Sequence, residues 1–380
     1  MRMREWFRQA SPRRRIAAVA LPTAVVVAAA GTAVALSGGE AEKPCWKVPS
    51  TTAALADDPA AATKALDPGD DLSRYDVMDE LLSEEHLRAC DGQGAILGKV
   101  VLGASVGGPG GPHTLAQART AYAAAAALSE GSEPLPDGMS PYIARLTAEY
   151  IVDVQRSWFA NPSRRDFVRP AGTYEESKEW AGEFPDRRDA TAAFSVDSYE
   201  ADTDVSFKRI VERAAGDPEA FAVLYDAYRA YFAYYLERLD GKGEVPSLRD
   251  AKYDTSGTAD LDLGGAARSI GTLMQLRANG VQDGTIHDAA AFDQSVWKHS
   301  RGSFPTAARQ VADAPPMGEI AARAAGVGAK APAATLLDGR RQLYAALEKW
   351  GEERGITAGR VAELRLRIDE SFVNGMREAI

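Results

Sequence analysis

Apolar residues recur at three- and four-residue spacing along most of this chain, and hardly any segment alternates with period two. That pattern predicts an all-α fold of many helices. The strongest single element is expected from Asp217 to Leu239. Asp217 reads as the N-cap, Pro218 as the first helical residue, and Gly241 lies just past the end. This helix carries Phe221, Leu224, Tyr225, Tyr228, Tyr231, Phe232, Tyr234 and Tyr235. Ser140 with Pro141 opens another helix reaching about Ala160, with Ile143, Leu146, Tyr150, Ile151, Val154 and Trp158 in helical period. Thr114–Ser129 is an alanine-rich helix suited to close packing. Asp71 or Ser73 can cap a helix through Cys90, with Tyr75, Met78, Leu81, Leu82 and Leu87 on one face.

Further helices are expected over 204–215, 266–279, 288–299, 305–313, 316–325, 336–354 and 358–378. Residues 95–106 are apolar without a deciding period, so a hairpin and a buried helix both fit. The glycines and prolines of 107–112 form a breaker. Residues 38–70 read as a linker, and 241–265 as a long polar loop. The body is then one helical domain over 71–380, with 241–264 as the candidate division into two subdomains.

The N-terminus breaks the pattern. Residues 1–15 hold six arginines and one glutamate, and Ile16–Leu36 runs for 21 residues without a charge. As a helix that run spans ~31 Å, a hydrocarbon thickness. A basic cytoplasmic segment followed by a transmembrane signal-anchor over 16–37 is the expected arrangement, with the remainder outside the cytoplasm. The alternative is a cleaved signal peptide, with Ala33-Val34-Ala35 as its small-residue site and a secreted product.

Charge narrows the partners. The whole chain carries −10; removing the +5 of residues 1–15 leaves −15 on residues 40–380. Nucleic acid is excluded as a partner, because it demands a basic footprint. The membrane, through the N-terminal helix, and a protein partner in the cell envelope remain. The two cysteines, Cys45 and Cys90, read as one disulfide in an exported chain.

Candidate chemistry is sparse. Tyr228, Tyr231 and Tyr235 are candidates to line a ligand groove, but their helical spacing favours a core-facing stripe. His86, His113, His287 and His299 have no partner at helical spacing, so no metal is expected. No cofactor is expected either. Gly92, Gly94, Gly98 and Lys99 miss the spacing of a phosphate loop. Asp260–Gly265 lacks the glutamate that completes a calcium loop. Ser295 and Lys298 form a Ser-x-x-Lys without its partner motifs. Glu175, Glu176, Glu179 and Glu183 lie near Trp180 on one short face rather than opposed across a cleft.

Ser269-Ile270-Gly271-Thr272-Leu273-Met274-Gln275-Leu276 resembles the Gly-Leu-Met-Gln segment of lytic transglycosylases, with Thr272 in place of the usual glycine. The resemblance implies a helical enzyme that cuts peptidoglycan outside the membrane with an upstream glutamate as general acid. The stretch 245–276 contains no glutamate, and Asp254 stands near the expected distance. The leading expectation is therefore a membrane-anchored, extracytoplasmic helical protein with a non-catalytic binding or interaction role. The alternatives are a divergent cell-envelope hydrolase and a helical small-ligand binder.

Overall fold

The computed structural model describes residues 45–69, 75–107, 113–131, 134–151, 154–155, 207–239, 243, 258–299 and 339–379, with backbone alone for 130, 207, 230, 233–235, 237–238 and 258–262. Among them every element is helical, apart from an isolated parallel bridge between Trp46 and Ala89. The fold class is all-α. No helix among the described residues is long and apolar enough to cross a membrane, and the span expected at 16–37 lies outside them. So do the helices expected over 305–313 and 316–325.

The chain folds at once where a linker is expected. Helix α1 covers Ser50–Ala54, a 3₁₀ turn covers Leu55–Asp57, and α2 covers Pro59–Leu66. Asp58 caps α2 by accepting a hydrogen bond from the Ala61 N–H, and Pro59 sits at the first helical position. Ala62 and Leu66 are buried, and the Thr63 hydroxyl donates to the Ala104 carbonyl at 2.8 Å. Alanine contributes too little apolar signal for this segment to look like core.

The helix expected up to Cys90 is instead two short ones, α3 (Asp76–Leu81) and α4 (Glu84–Leu87). Ser83 takes an extended conformation between them and restarts the chain. The predicted face survives the break, since Met78, Leu82 and Leu87 are all buried. Residues 93–106 resolve as helix α5 (Gln93–Val106), bracketed by Gly92 and Gly107 at φ near +75°. A helix apolar on all sides belongs in an interior, which is why periodicity is silent here.

Helix α6 (Leu115–Glu130) begins with a reciprocal capping box between Thr114 and Gln117. Its alanines, from Ala118 to Ala127, are nearly all buried. Helix α7 (Ser140–Glu149) ends at Tyr150, and the chain is helical again at Ile151 and at 154–155. The outer half of the longer helix expected there, including Trp158, lies outside the described residues. Then follow α8 (Phe207–Ala214), α9 (Pro218–Arg238), α10 (Thr258–Asp283), α11 (Ala289–His299), α12 (Gly339–Arg354) and α13 (Ala358–Glu378). α10 starts inside the expected polar loop.

Two apolar clusters result. One gathers α2 to α6 around Leu97, Val100, Tyr122 and Leu128; the other surrounds α9 with Phe221, Leu273, Trp350 and Phe372. α7 serves both, giving Ile143 and Leu146 to the first and Ala144 and Ala148 to the second. The closest contact is between α10 and α13. A Cβ at Gly271 would run into the Phe372 backbone, and one at Gly375 into that of Arg268. Thr272 donates across this seam to the Gly375 carbonyl at 3.1 Å. Gly264, expected in the polar loop, lies within α10, and a Cβ there would meet Ser371 Oγ at 2.9 Å.

Candidate functional site

The most chemically loaded element is α9. Asp217 caps it by accepting from the Ala220 N–H at 2.9 Å, and the aromatic stripe that follows is driven inward. Tyr225, Tyr228 and Tyr231 are at most 1% exposed. The rings of Tyr228 and Tyr231 therefore lie in the packed interior, and the side chain of Tyr235 is outside those described.

Three buried polar groups surround this stripe. In the first, Arg229 pairs with Asp226 one turn earlier and donates from Nη1 to Gln342 Oε1 of α12 at 2.8 Å. Its guanidinium stands 4.7 Å from the centre of the Tyr225 ring. Burial pushes the Tyr225 hydroxyl up to about 12, against the pull of Arg229 and with a small push from Asp226. This tyrosine stays protonated at neutral pH and serves as a donor, not as a base or nucleophile.

In the second group, Gln155 Nε2 donates to Ser269 Oγ at 2.8 Å, and the Tyr228 hydroxyl lies beside that serine. Burial pushes Tyr228 upward, and Ser269 only partly opposes it. Segments 114 residues apart meet here, joining the helical turn after α7 to α10 and α9.

The third group links α10 to α11. Arg277 donates from Nε and Nη2 to the two carboxylate oxygens of Asp293, both at 2.5 Å. Removal from water pushes Asp293 upward more than Arg277 pulls it down. Nearer α6 and α7, His113 stacks on Tyr150 with ring centres 4.9 Å apart. Its Nε2 lies 3.8 Å from Glu149, while the Tyr150 hydroxyl donates to the Ser105 carbonyl at 2.7 Å.

The remaining candidates are placed as follows. Cys45 and Cys90 form a disulfide with Cα atoms 4.9 Å apart. Trp46 stacks on His86 beside it, ring centres 4.1 Å apart. His287 and His299 are exposed, the latter 3.9 Å from Glu219. No three metal-binding side chains gather among the described residues. Gly94 and Gly98 are pressed against the segment 136–142, and Lys99 pairs with Asp57 at 2.7 Å. Ser295 is half-buried and Lys298 exposed. Residues 260–265 are helical. The Ser269–Leu276 stretch is the buried side of α10, facing α13 and α9, while Asp254 and the glutamates around Trp180 lie outside the described residues.

Sequence reasoning missed the buried polar groups, although two had a signal. Asp226 and Arg229 are an i,i+3 charge pair on the aromatic stripe, and Arg277 follows Ile270, Leu273 and Met274 on theirs. A cation on an apolar stripe requires a buried partner. Nothing in the sequence points to Gln155. Among known proteins, no family model matches this chain, and no curated protein or solved structure matches it either.

Proposed function

We propose that this chain is a single-pass, membrane-anchored protein whose helical body lies outside the cytoplasm and acts as a non-catalytic binding or interaction unit. One observation carries the reading. Among the described residues, the buried polar side chains around α9 are engaged with one another inside helix junctions: Arg277 with Asp293, Arg229 with Asp226 and Gln342, and Ser269 with Gln155. Buried polar contacts between helices rigidify a body; a catalytic or ligand site needs an accessible concavity where such groups converge. The Cys45–Cys90 bridge supports an oxidising compartment. The arginines of residues 1–15 and the uncharged run after them support the tether.

The test uses intact cells. The chain is expected in the membrane pellet after alkaline carbonate extraction, its body digested by protease added from outside, and one crosslinked protein recovered reproducibly with it. Release into the medium replaces the anchor with a cleaved signal; protection from external protease overturns the location. Clearing of a peptidoglycan zymogram that is lost in Asp254→Asn overturns the non-catalytic role in favour of the hydrolase.

A further inference from the structure

We infer that the Cys45–Cys90 disulfide is a tension bypass. A pull arriving from the N-terminal side passes from Cys45 directly to Cys90 and leaves residues 46–89 unloaded. The biological source of such a pull is the anchor proposed above, so the inference rests on that reading, but the mechanical claim is a property of the folded body.

The bridge joins Cys45, exposed at the entry of the described body, to Cys90, half-buried just before α5. Between them lie short elements that bury few residues. α1 and the 3₁₀ turn bury no residue, α3 buries only Met78, and α4 only Leu87. α2 is held better, through Ala62, Thr63 and Leu66 and a bidentate pair between its C-cap Asp67 and Arg119. Segments with few buried contacts open first.

The attachments a pull would meet first are few. Trp46 N–H donates to the Arg88 carbonyl at 2.9 Å, Cys90 N–H to the Trp46 carbonyl at 2.8 Å, and Val48 N–H to Gln93 Oε1 at 3.1 Å. The Trp46–His86 stack lies alongside. Loaded in sequence from one end, these would break one at a time and the short helices would peel away in order. With the bridge closed, none of them lies on the load path. Force enters at Cys90 and reaches α5, whose Leu97, Val100 and Val101 are fully buried.

Stretching the full chain in detergent between handles on its two ends, with optical tweezers, tests this. The oxidised protein should show no rupture of residues 46–89. Reduction with dithiothreitol after folding should add a new first rupture at lower force. It should release up to about 16 nm of contour, the 45-residue span taken at ~3.6 Å per residue. First ruptures at equal force in both states would overturn the inference. Amide exchange on the reduced protein at zero force gives a second reading. Faster exchange confined to 50–87 supports the bypass, while equal loss of protection through 207–379 overturns it. Neither measurement involves a bilayer, so the anchor can fail in cell fractionation while the bypass stands, and the reverse.

Discussion

Arg277 of α10 clasps Asp293 of α11 through two hydrogen bonds of 2.5 Å, with both side chains at most 1% exposed. Two full charges have been withdrawn from water here, and Asp293 is pushed upward in spite of its partner. Desolvation therefore outweighs the attraction at the carboxylate. Removing one partner leaves the other buried and uncompensated. Asp293→Ala and Arg277→Ala should each cost about 3–5 kcal/mol in urea unfolding, whereas the apolar double variant Arg277→Met/Asp293→Leu should recover most of that loss. If the apolar double variant is no more stable than either single, the pair contributes net stability and the argument fails.

The α10–α13 seam depends on two glycines for a steric reason. Gly271 and Gly375 put backbone against backbone, and a methyl group at either would overlap main-chain atoms that cannot swing aside. Gly271→Ala and Gly375→Ala should each cost about 3 kcal/mol, at the upper end for overpacking, because both helices must separate. Gly359, in the first turn of α13 with open space around it, is the matched control. Gly359→Ala should be neutral or stabilising by up to about 1 kcal/mol. Equal losses at all three positions in thermal melts would contradict the steric account.

Much of the fold is legible in the sequence, and the gaps have physical causes. Asp217-Pro218 is a complete start signal, so α9 is expected within about a residue of its observed ends. Segment 50–66 escapes notice because its first half buries no residue and α2 turns only Ala62, Thr63 and Leu66 inward. Gly264 looks like a loop residue until Ser371 of α13 is seen against it; a glycine that admits a neighbour and a glycine that breaks a helix are the same letter. The tyrosine stripe is legible as a stripe, but its polar partners are not. Gln342 reaches it from 113 residues further along the chain, and Gln155 meets Ser269 across a separation of 114 residues.

The buried tyrosines predict alkaline unfolding. Tyr225 has an ordinary value of 10.0 and is pushed up to about 12 in the fold. An acid whose folded value is raised keeps its proton longer in the native state, so its contribution is complete below pH 10 and declines as pH rises from 10 to 12. At 1.36 kcal/mol per pH unit the full loss at Tyr225 approaches about 3 kcal/mol. Wild type should lose stability steeply over that window, with a concurrent rise in tyrosinate absorbance at 295 nm. Tyr225→Phe should flatten the slope but not abolish it, since Tyr228 is also pushed upward by burial. An unchanged slope in Tyr225→Phe would show that this hydroxyl titrates as if exposed.

Ser269 is the shared member of the second buried group, accepting from Gln155 Nε2 at 2.8 Å and lying beside the Tyr228 hydroxyl. Ser269→Ala takes one partner from each of two buried polar groups at once, so it should cost about 1–3 kcal/mol although it adds no bulk. Tyr228→Phe removes the hydroxyl that lies beside Ser269 and should cost about 1 kcal/mol. Once the serine is gone, the tyrosine has that polar neighbour no longer to lose. The double variant should therefore be more stable than the sum of the singles predicts, by about 1 kcal/mol in a double-mutant cycle. Strict additivity would mean that Ser269 and Tyr228 are independent, and that the junction between α9 and α10 is held by apolar packing alone.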